Sequence, residues 1–402
     1  MIPLQENLSE LMKQIIGFIY PNEIEIHWSI LIVVYPYITG LVAGAFILAS
    51  LVKVFNIKEV QPVYRLSLLT ALSFLIIAPL PLLLHLGHPE RSFEIFLTPH
   101  LTSAMAMFGF VYAWYLMGVL LLEIWFEFRH DLITLARRAR FPLSWIYRAL
   151  SLFSNDTSEA SVAFDRKAVK VITVVGIPSA FLLHGYVGFI FGSVKANPWW
   201  SSVLMPIVFL MSAIVSGIAI VVLLYMVITS MRNEPIDMKC LDKVTSYLFY
   251  AVIVDFSLEA LDFIHRLYES EESIKILGQL ISIKLFMNLV IVQVLLGMLI
   301  PLVILIVARY RHFNEDLRKM LYFISAILIQ LGIFSTRWNV VVGGQLFSKS
   351  FRGLMTYKMQ VTGIEGLVMA LALMVAPYII LSILIRLLPT RRLSETPAVA
   401  PA

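Results

Sequence analysis

The sequence predicts an all-α, polytopic membrane protein: a transmembrane helix bundle of about nine spans, with its N-terminus outside and its C-terminus cytoplasmic. Three observations predict it. Hydrophobic residues make up 59% of the 402-residue chain and charged residues 14%, against about 45–50% and ~25% in soluble domains. The apolar residues gather in runs of roughly 20 or more, enough for a helix to cross a bilayer. Lys and Arg concentrate in alternate connections, as the positive-inside rule requires. Within lipid every backbone N–H and C=O must be satisfied inside the segment, so these runs are read as helices. The turn-punctuated alternation of a membrane barrel is absent.

Residues 1–25 precede the first span, and 8–20 read as an amphipathic surface helix. They do not read as a signal peptide, because Glu6 and Glu10 accompany Lys13 and the apolar run Ile15–Tyr20 is short. The expected spans are 27–54, 63–87, 101–128, 168–192, 200–231, 244–266, 277–308, 320–338 and 361–388. Residues 26–192 then form a first four-helix bundle, 193–388 hold five further spans, and 389–402 are a cytoplasmic tail. Only 129–166 and 339–360 are long connections, too short for a soluble domain of ordinary size.

With this order the inner connections hold most of the 31 Lys and Arg residues, and the net charge of +5 reports on topology rather than on nucleic acid. Within the inner connection, Leu132–Leu152 mixes Arg137, Arg138, Arg140 and Arg148 with Phe141, Trp145, Ile146 and Tyr147. The single cysteine, Cys240, reads as an inert thiol in a short loop. It excludes a disulfide framework and any Cys-ligated iron–sulfur cluster within the chain.

Topology gathers polar residues at one face. His27, His85, His88, His100 and His184 all fall toward the outer ends of the first four spans, with Tyr35, Tyr37 and Tyr186 near the same level. His88 and His100 lie at or beyond helix ends, where a histidine at the headgroup boundary needs no functional explanation. His184 lies about two turns inside its span, between Pro178 and Gly185, and an intramembrane ionisable residue is a functional candidate. Pro79 and Pro81 remove two N–H donors from span two and should bend it. The carbonyls they free need protein or a water-lined cavity near His85. Gly40 and Gly44, beside Ala43 and Ala45, form a small-residue face for close helix contact.

Span six carries Asp255, Glu259 and Asp262 on one helical face. Near a bilayer centre each costs roughly 2.5 kcal/mol or more. They require partners such as Arg266, Lys284 or Arg337, as a proton path or as a structural ion-pair cluster.

The chain has no nucleotide fingerprint and no metal-spaced Cys or His group. An apolar pocket with histidines and tyrosines at one membrane face suits a lipid-soluble quinone. The quinone carbonyls need hydrogen-bond donors, and each two-electron step moves two protons, services that histidine supplies.

Several segments resemble a known family. HWSILIVVYPYITGLVAGAF resembles the first span of the NrfD/PsrC family, the membrane subunits of polysulfide, nitrite and related reductases. LLHLGHPERSFEIFLTPH resembles that family's LDLGRPER stretch, with His88 in place of the usual arginine. IPSAFLLHGYVGFIFGSVKANPWW and RWNVVVGGQLFSKS resemble its HybB/DsrP-like branch. The resemblance runs over essentially the whole chain. It implies a quinone-interacting subunit using menaquinone or ubiquinone, with no haem or iron–sulfur cluster of its own, in a prokaryotic inner membrane. Its implied partners are an extracytoplasmic ferredoxin-like iron–sulfur subunit and further redox subunits, with sulfur metabolism as one setting. The likeness carries over to His27 and His184, with Tyr186 nearby. Together with Tyr37 and His85, which topology places near the same level, they are the expected quinone site. The spacing of Asp255, Glu259 and Asp262 separately marks the expected proton pathway. Two rivals stand beside it: a secondary transporter using the span-six carboxylates, and a b-type cytochrome ligated by two of His27, His85 and His184.

Overall fold

A computed structural model of the chain describes residues 25–390, apart from 99, 101, 270–272, 312 and 352. The expected surface helix at 8–20 and nearly all of the tail at 389–402 lie outside the described residues. Among those described there is no strand, only the isolated bridges Glu25–Thr356 and Phe347–Leu354.

Helix α1 (Ile30–Lys53) starts at Ser29, whose side chain accepts a hydrogen bond from the Leu31 N–H. It is apolar on every side, the pattern of a helix enclosed by others. The fold answers it: 94% of its most apolar window is buried, against 22% for the last long helix, α11 (Leu367–Leu387). Helix α7 (Met205–Met231) crosses α1 at Gly44 and Gly217. A Cβ on either glycine would run into the backbone of the other helix, so the small-residue face works as expected. Gly297 and Gly332 make the same kind of contact between α9 (Ile274–Tyr310) and α10 (Glu315–Val341).

Around the central pair stand α2 (Gln61–Ile77), α4 (Met107–Arg138), α6 (Glu159–Gly192), α10 and α11. The helix α2 stops at Ala78, and after Pro79 the short helix α3 (Leu80–His85) sets off again. The proline break of span two is therefore present. Protein satisfies one of the nearby carbonyls, because the Tyr112 hydroxyl donates to Leu75 O at 2.7 Å.

Two boundaries differ from the sequence expectation. Helix α4 runs on to Arg138 and α6 already begins at Glu159, capped by Ser158. The long connection after α4 is correspondingly shorter, and residues 132–152 hold the end of α4 plus the short α5 (Leu143–Leu150). The reason is charge pairing. Glu127 accepts from Lys53 at 2.9 Å and from Arg65 at 3.1 Å, while Arg65 reaches Asp131 at 2.6 Å. Arg129 holds Asp165 at 2.9 Å across to α6. Charged turns that pair in this way continue a helix beyond its apolar stretch. Phe141, Trp145, Leu152 and Phe153 remain exposed around α5.

Among the described residues eight helices are long and apolar enough to cross a membrane. The expected sixth span forms α8 (Met238–Glu269), 32 residues long, which is not among the eight. Cys240 lies buried in the first turn of α8 rather than in a loop.

One end of the bundle is closed by two loops. Trp199 Nε1 donates to Asn339 O at 2.9 Å, Trp200 Nε1 to Val340 O at 2.6 Å, and Asn197 to Gly344 O at 2.7 Å. Trp28 stacks on Trp200 at 5.4 Å, and the Tyr357 hydroxyl accepts the Ile30 N–H. The segments before α1, between α6 and α7, and after α10 thus form one lid.

Candidate functional site

Beneath that lid lies a polar centre to which six helices contribute. His184 on α6 is fully buried. Its ring stacks on Phe209 of α7 at 5.8 Å, and Gly40 of α1 leaves room for it: a Cβ there would stand 3.2 Å from the imidazole Cε1. Arg337 of α10, equally buried, brings one guanidinium nitrogen to 3.2 Å from His184 Nε2. The same nitrogen lies 2.6 Å from Ser212 Oγ and 3.3 Å from Phe209 O, so its two N–H groups are shared among three acceptors, and the guanidinium lies 4.2 Å over the Phe209 ring.

A guanidinium only donates hydrogen bonds, so Nε2 is the acceptor and a neutral His184 carries its proton on Nδ1. That Nδ1 makes no hydrogen bond of its own. The arrangement therefore presents a buried, oriented N–H donor.

Across from Arg337, α8 contributes Asp255 and Glu259. Arg337 is the cation that acts electrostatically on both carboxylates. Glu259 accepts from Gln293 at 2.8 Å, and Gln293 in turn accepts from Asn339 at 2.7 Å. Asp255 Oδ1, Glu259 Oε1, Asn339 Oδ1 and the Nε and Nη1 of Arg337 are buried without hydrogen bonds. Buried polar atoms are rarely left unsatisfied, and each costs about 1–3 kcal/mol when it is. So much unspent capacity in one place suits a polar ligand group or a chain of waters.

The predicted residues divide as follows. His184 joins Asp255 and Glu259 through Arg337. Tyr186, two residues along α6, has a buried hydroxyl without a hydrogen bond, within electrostatic reach of the buried Tyr35. Tyr37 points elsewhere, donating to Gln330 at 2.8 Å. His85 is held at the bundle end by Glu365 at 3.0 Å, and His27 is exposed before the cap of α1. Asp262 turns to structure: it accepts from Ser202 and pairs with Arg266 at 2.7 Å, while Arg266 binds the carbonyls of Pro198 and Trp199.

Ser212, Phe209, Gln293 and Asn339 were not legible as site residues, because each needs a tertiary contact to acquire its role. The ion-pair cluster around Arg65 had a signal in the sequence: Glu123, Glu127 and Asp131 fall at i, i+4 and i+8 on one helical face. Glu123 is fully buried and accepts from the Tyr64 hydroxyl at 3.2 Å.

With this geometry in place, comparison with known proteins decides the family. Residues 21–349 match the family described as Polysulphide reductase, NrfD. The chain belongs to the NrfD family. It is 29% identical over 347 residues to the C subunit of the selenate reductase of Mesobacillus selenatarsenatis, covering 85% of this chain and 78% of that protein. It is also 28% identical over 196 residues to protein NrfD of Escherichia coli, covering 48% of this chain and 58% of the relative. The NrfD-family match takes in all of α1–α10 and the centre around Arg337, and makes the chain a multi-pass integral membrane protein.

Proposed function

We propose that this NrfD-family chain is the quinone- or quinol-interacting membrane subunit of a multi-subunit respiratory oxidoreductase. The observation that carries the reading is His184: buried, with Nε2 held by Arg337 and a free Nδ1. A quinol, when bound, supplies two electrons and two protons. The chain's own residues would then do three things. His184 and Tyr186 hydrogen-bond the head-group oxygens, the apolar walls exclude bulk water, and Asp255 and Glu259 take protons handed through the centre. Electrons pass to an extracytoplasmic ferredoxin-like iron–sulfur subunit and on to further redox subunits. The relative named as part of a selenate reductase supports a reductase as the setting.

The finer assignments belong to the same proposal: N-terminus outside, C-terminus cytoplasmic, a prokaryotic inner membrane, α8 as a ninth span, and the HybB/DsrP-like branch. Tyr37 and His85 enter as flanking residues rather than as donors to the quinone. The b-type cytochrome reading is weakened by the setting of His184, since a nitrogen facing a guanidinium suits hydrogen bonding better than iron ligation. The transporter reading keeps one favourable observation, the buried carboxylates of α8. Their link to His184 through Arg337 favours protons coupled to quinone chemistry over a separate substrate.

Reconstituting the intact complex in liposomes with a reduced quinol tests the proposal. Quinol-dependent electron delivery to the partner subunit is expected; delivery that is indifferent to quinol would reject it.

A further inference from the structure

A pocket lies where the first turns of α8, the last turn of α9 and the first turns of α10 meet, apart from the residues of the His184 centre. Asp242, Ser246, Arg309, Arg318 and Tyr322 line it, with Leu305 among its apolar walls. We propose that it binds the phosphodiester headgroup of an anionic phospholipid.

The hydrogen bonding of its two arginines carries the inference. Asp242 is already engaged: Arg318 reaches it at 2.7 Å and the Tyr322 hydroxyl donates to it at 3.0 Å. The charge of Arg318 is thus offset, while its Nε is buried without a hydrogen bond. Arg309 is exposed and donates to the Ser246 hydroxyl at 2.6 Å, and its guanidinium carbon lies 5.5 Å over the Tyr250 ring. Among the described residues no carboxylate pairs with Arg309. A guanidinium carries five N–H donors, so most of those of Arg309 are unspent.

Two guanidinium groups against one carboxylate leave the pocket positive. A planar fork of donors matches the paired oxygens of a phosphate ester, and Ser246 adds a hydroxyl. The position agrees with the chemistry. Arg309 lies in the last turn of α9 and Arg318 in the first turn of α10, the level at which lipid phosphates meet helix ends. Leu305, Ala308 and Phe249 give the pocket an apolar side next to its polar groups.

Inorganic phosphate offers the same chemistry from another source, so the test has two arms. Native mass spectrometry of the intact complex released in neutral detergent would be titrated with phosphatidylglycerol, phosphatidylcholine or inorganic phosphate. Phosphatidylglycerol is expected to add one tightly held copy. Arg309→Gln should weaken it at least fivefold and Arg309→Lys should fall between, with phosphatidylcholine bound more weakly throughout. Lys319→Gln, at the same membrane level but paired with Asp316, should bind as the parent does. Unchanged phosphatidylglycerol binding in Arg309→Gln, with an unaltered elution volume, would overturn the site. Arg309-dependent binding of inorganic phosphate without binding of phosphatidylglycerol would overturn its assignment to lipid.

Discussion

The guanidinium of Arg337 stands 3.2 Å from Nε2 of His184, joining residues 153 positions apart at the centre of the protein. This contact fixes the tautomer of the imidazole and connects it to the carboxylates of α8. Both consequences follow from one property of arginine, a charged group that donates hydrogen bonds and accepts none.

Removing that cation leaves Asp255 and Glu259 buried without compensation. Arg337→Gln is expected to lower stability by up to about 3–5 kcal/mol, the usual cost of deleting one member of a buried charge group. Adding Asp255→Asn should restore part of the loss, since residues sharing one network are non-additive. Thermal unfolding of the four proteins in detergent measures the cycle. Strict additivity would show that the two groups do not interact.

The glycines of α1 should separate packing from site geometry. Gly44→Ala drives a methyl into the Ala213 carbonyl of α7 and should cost about 1–3 kcal/mol of stability. In Gly40→Ala the new methyl meets the edge of the His184 ring instead. Its expected signature is reduced quinol turnover with a nearly unchanged melting temperature, read on the same preparation.

Two carboxylates on one face of α8 should behave differently. Asp262→Asn breaks the hold of Arg266 on the Pro198–Trp199 carbonyls, so amide hydrogen exchange should rise across 196–202. Asp255→Asn should leave that exchange unchanged and lower the protons moved per electron in liposomes. An equal proton-to-electron ratio in Asp255→Asn and parent would remove Asp255 from the path.

At the end of the bundle where α1 finishes and α2 begins, Arg65 is 3% exposed and serves both Glu127 and Asp131. Arg65→Ala should cost about 3–5 kcal/mol, because it takes the guanidinium from buried Asp131 and leaves Glu127 with Lys53 alone of the two cations named. Lys319→Ala, whose partner Asp316 is largely exposed, should change stability by less than about 1 kcal/mol. Comparable losses in both variants would contradict the burial argument.

Much of this was legible beforehand because lipid imposes simple rules. Runs of apolar residues gave nearly every long helix, the prolines at 79 and 81 gave the break after Ala78, and Gly44 gave the closest crossing. His184 stood out as an ionisable residue inside an apolar span, and Arg337 was already a candidate partner for the carboxylates. Helix ends were less legible. Apolarity marks where a helix can cross lipid, but the pairing of Arg129 with Asp165 decides how far α4 and α6 extend beyond it. The histidine cluster dispersed for a related reason. Topology places residues at a common level without saying which way they face. Thus His85 meets Glu365 while His184 meets Arg337. Tyr37 faces Gln330 while Tyr35, two residues earlier on the same helix, faces Phe108.

Quinol-linked turnover of the intact, purified complex carrying His184→Ala tests the central claim most directly. Losing a hydrogen bond worth about 1.4 kcal/mol or more in the reacting complex predicts at least about a tenfold drop, with every subunit still present in its parent ratio. Turnover equal to the parent's, from a complex assembled in that same ratio, would contradict the role assigned to the buried imidazole.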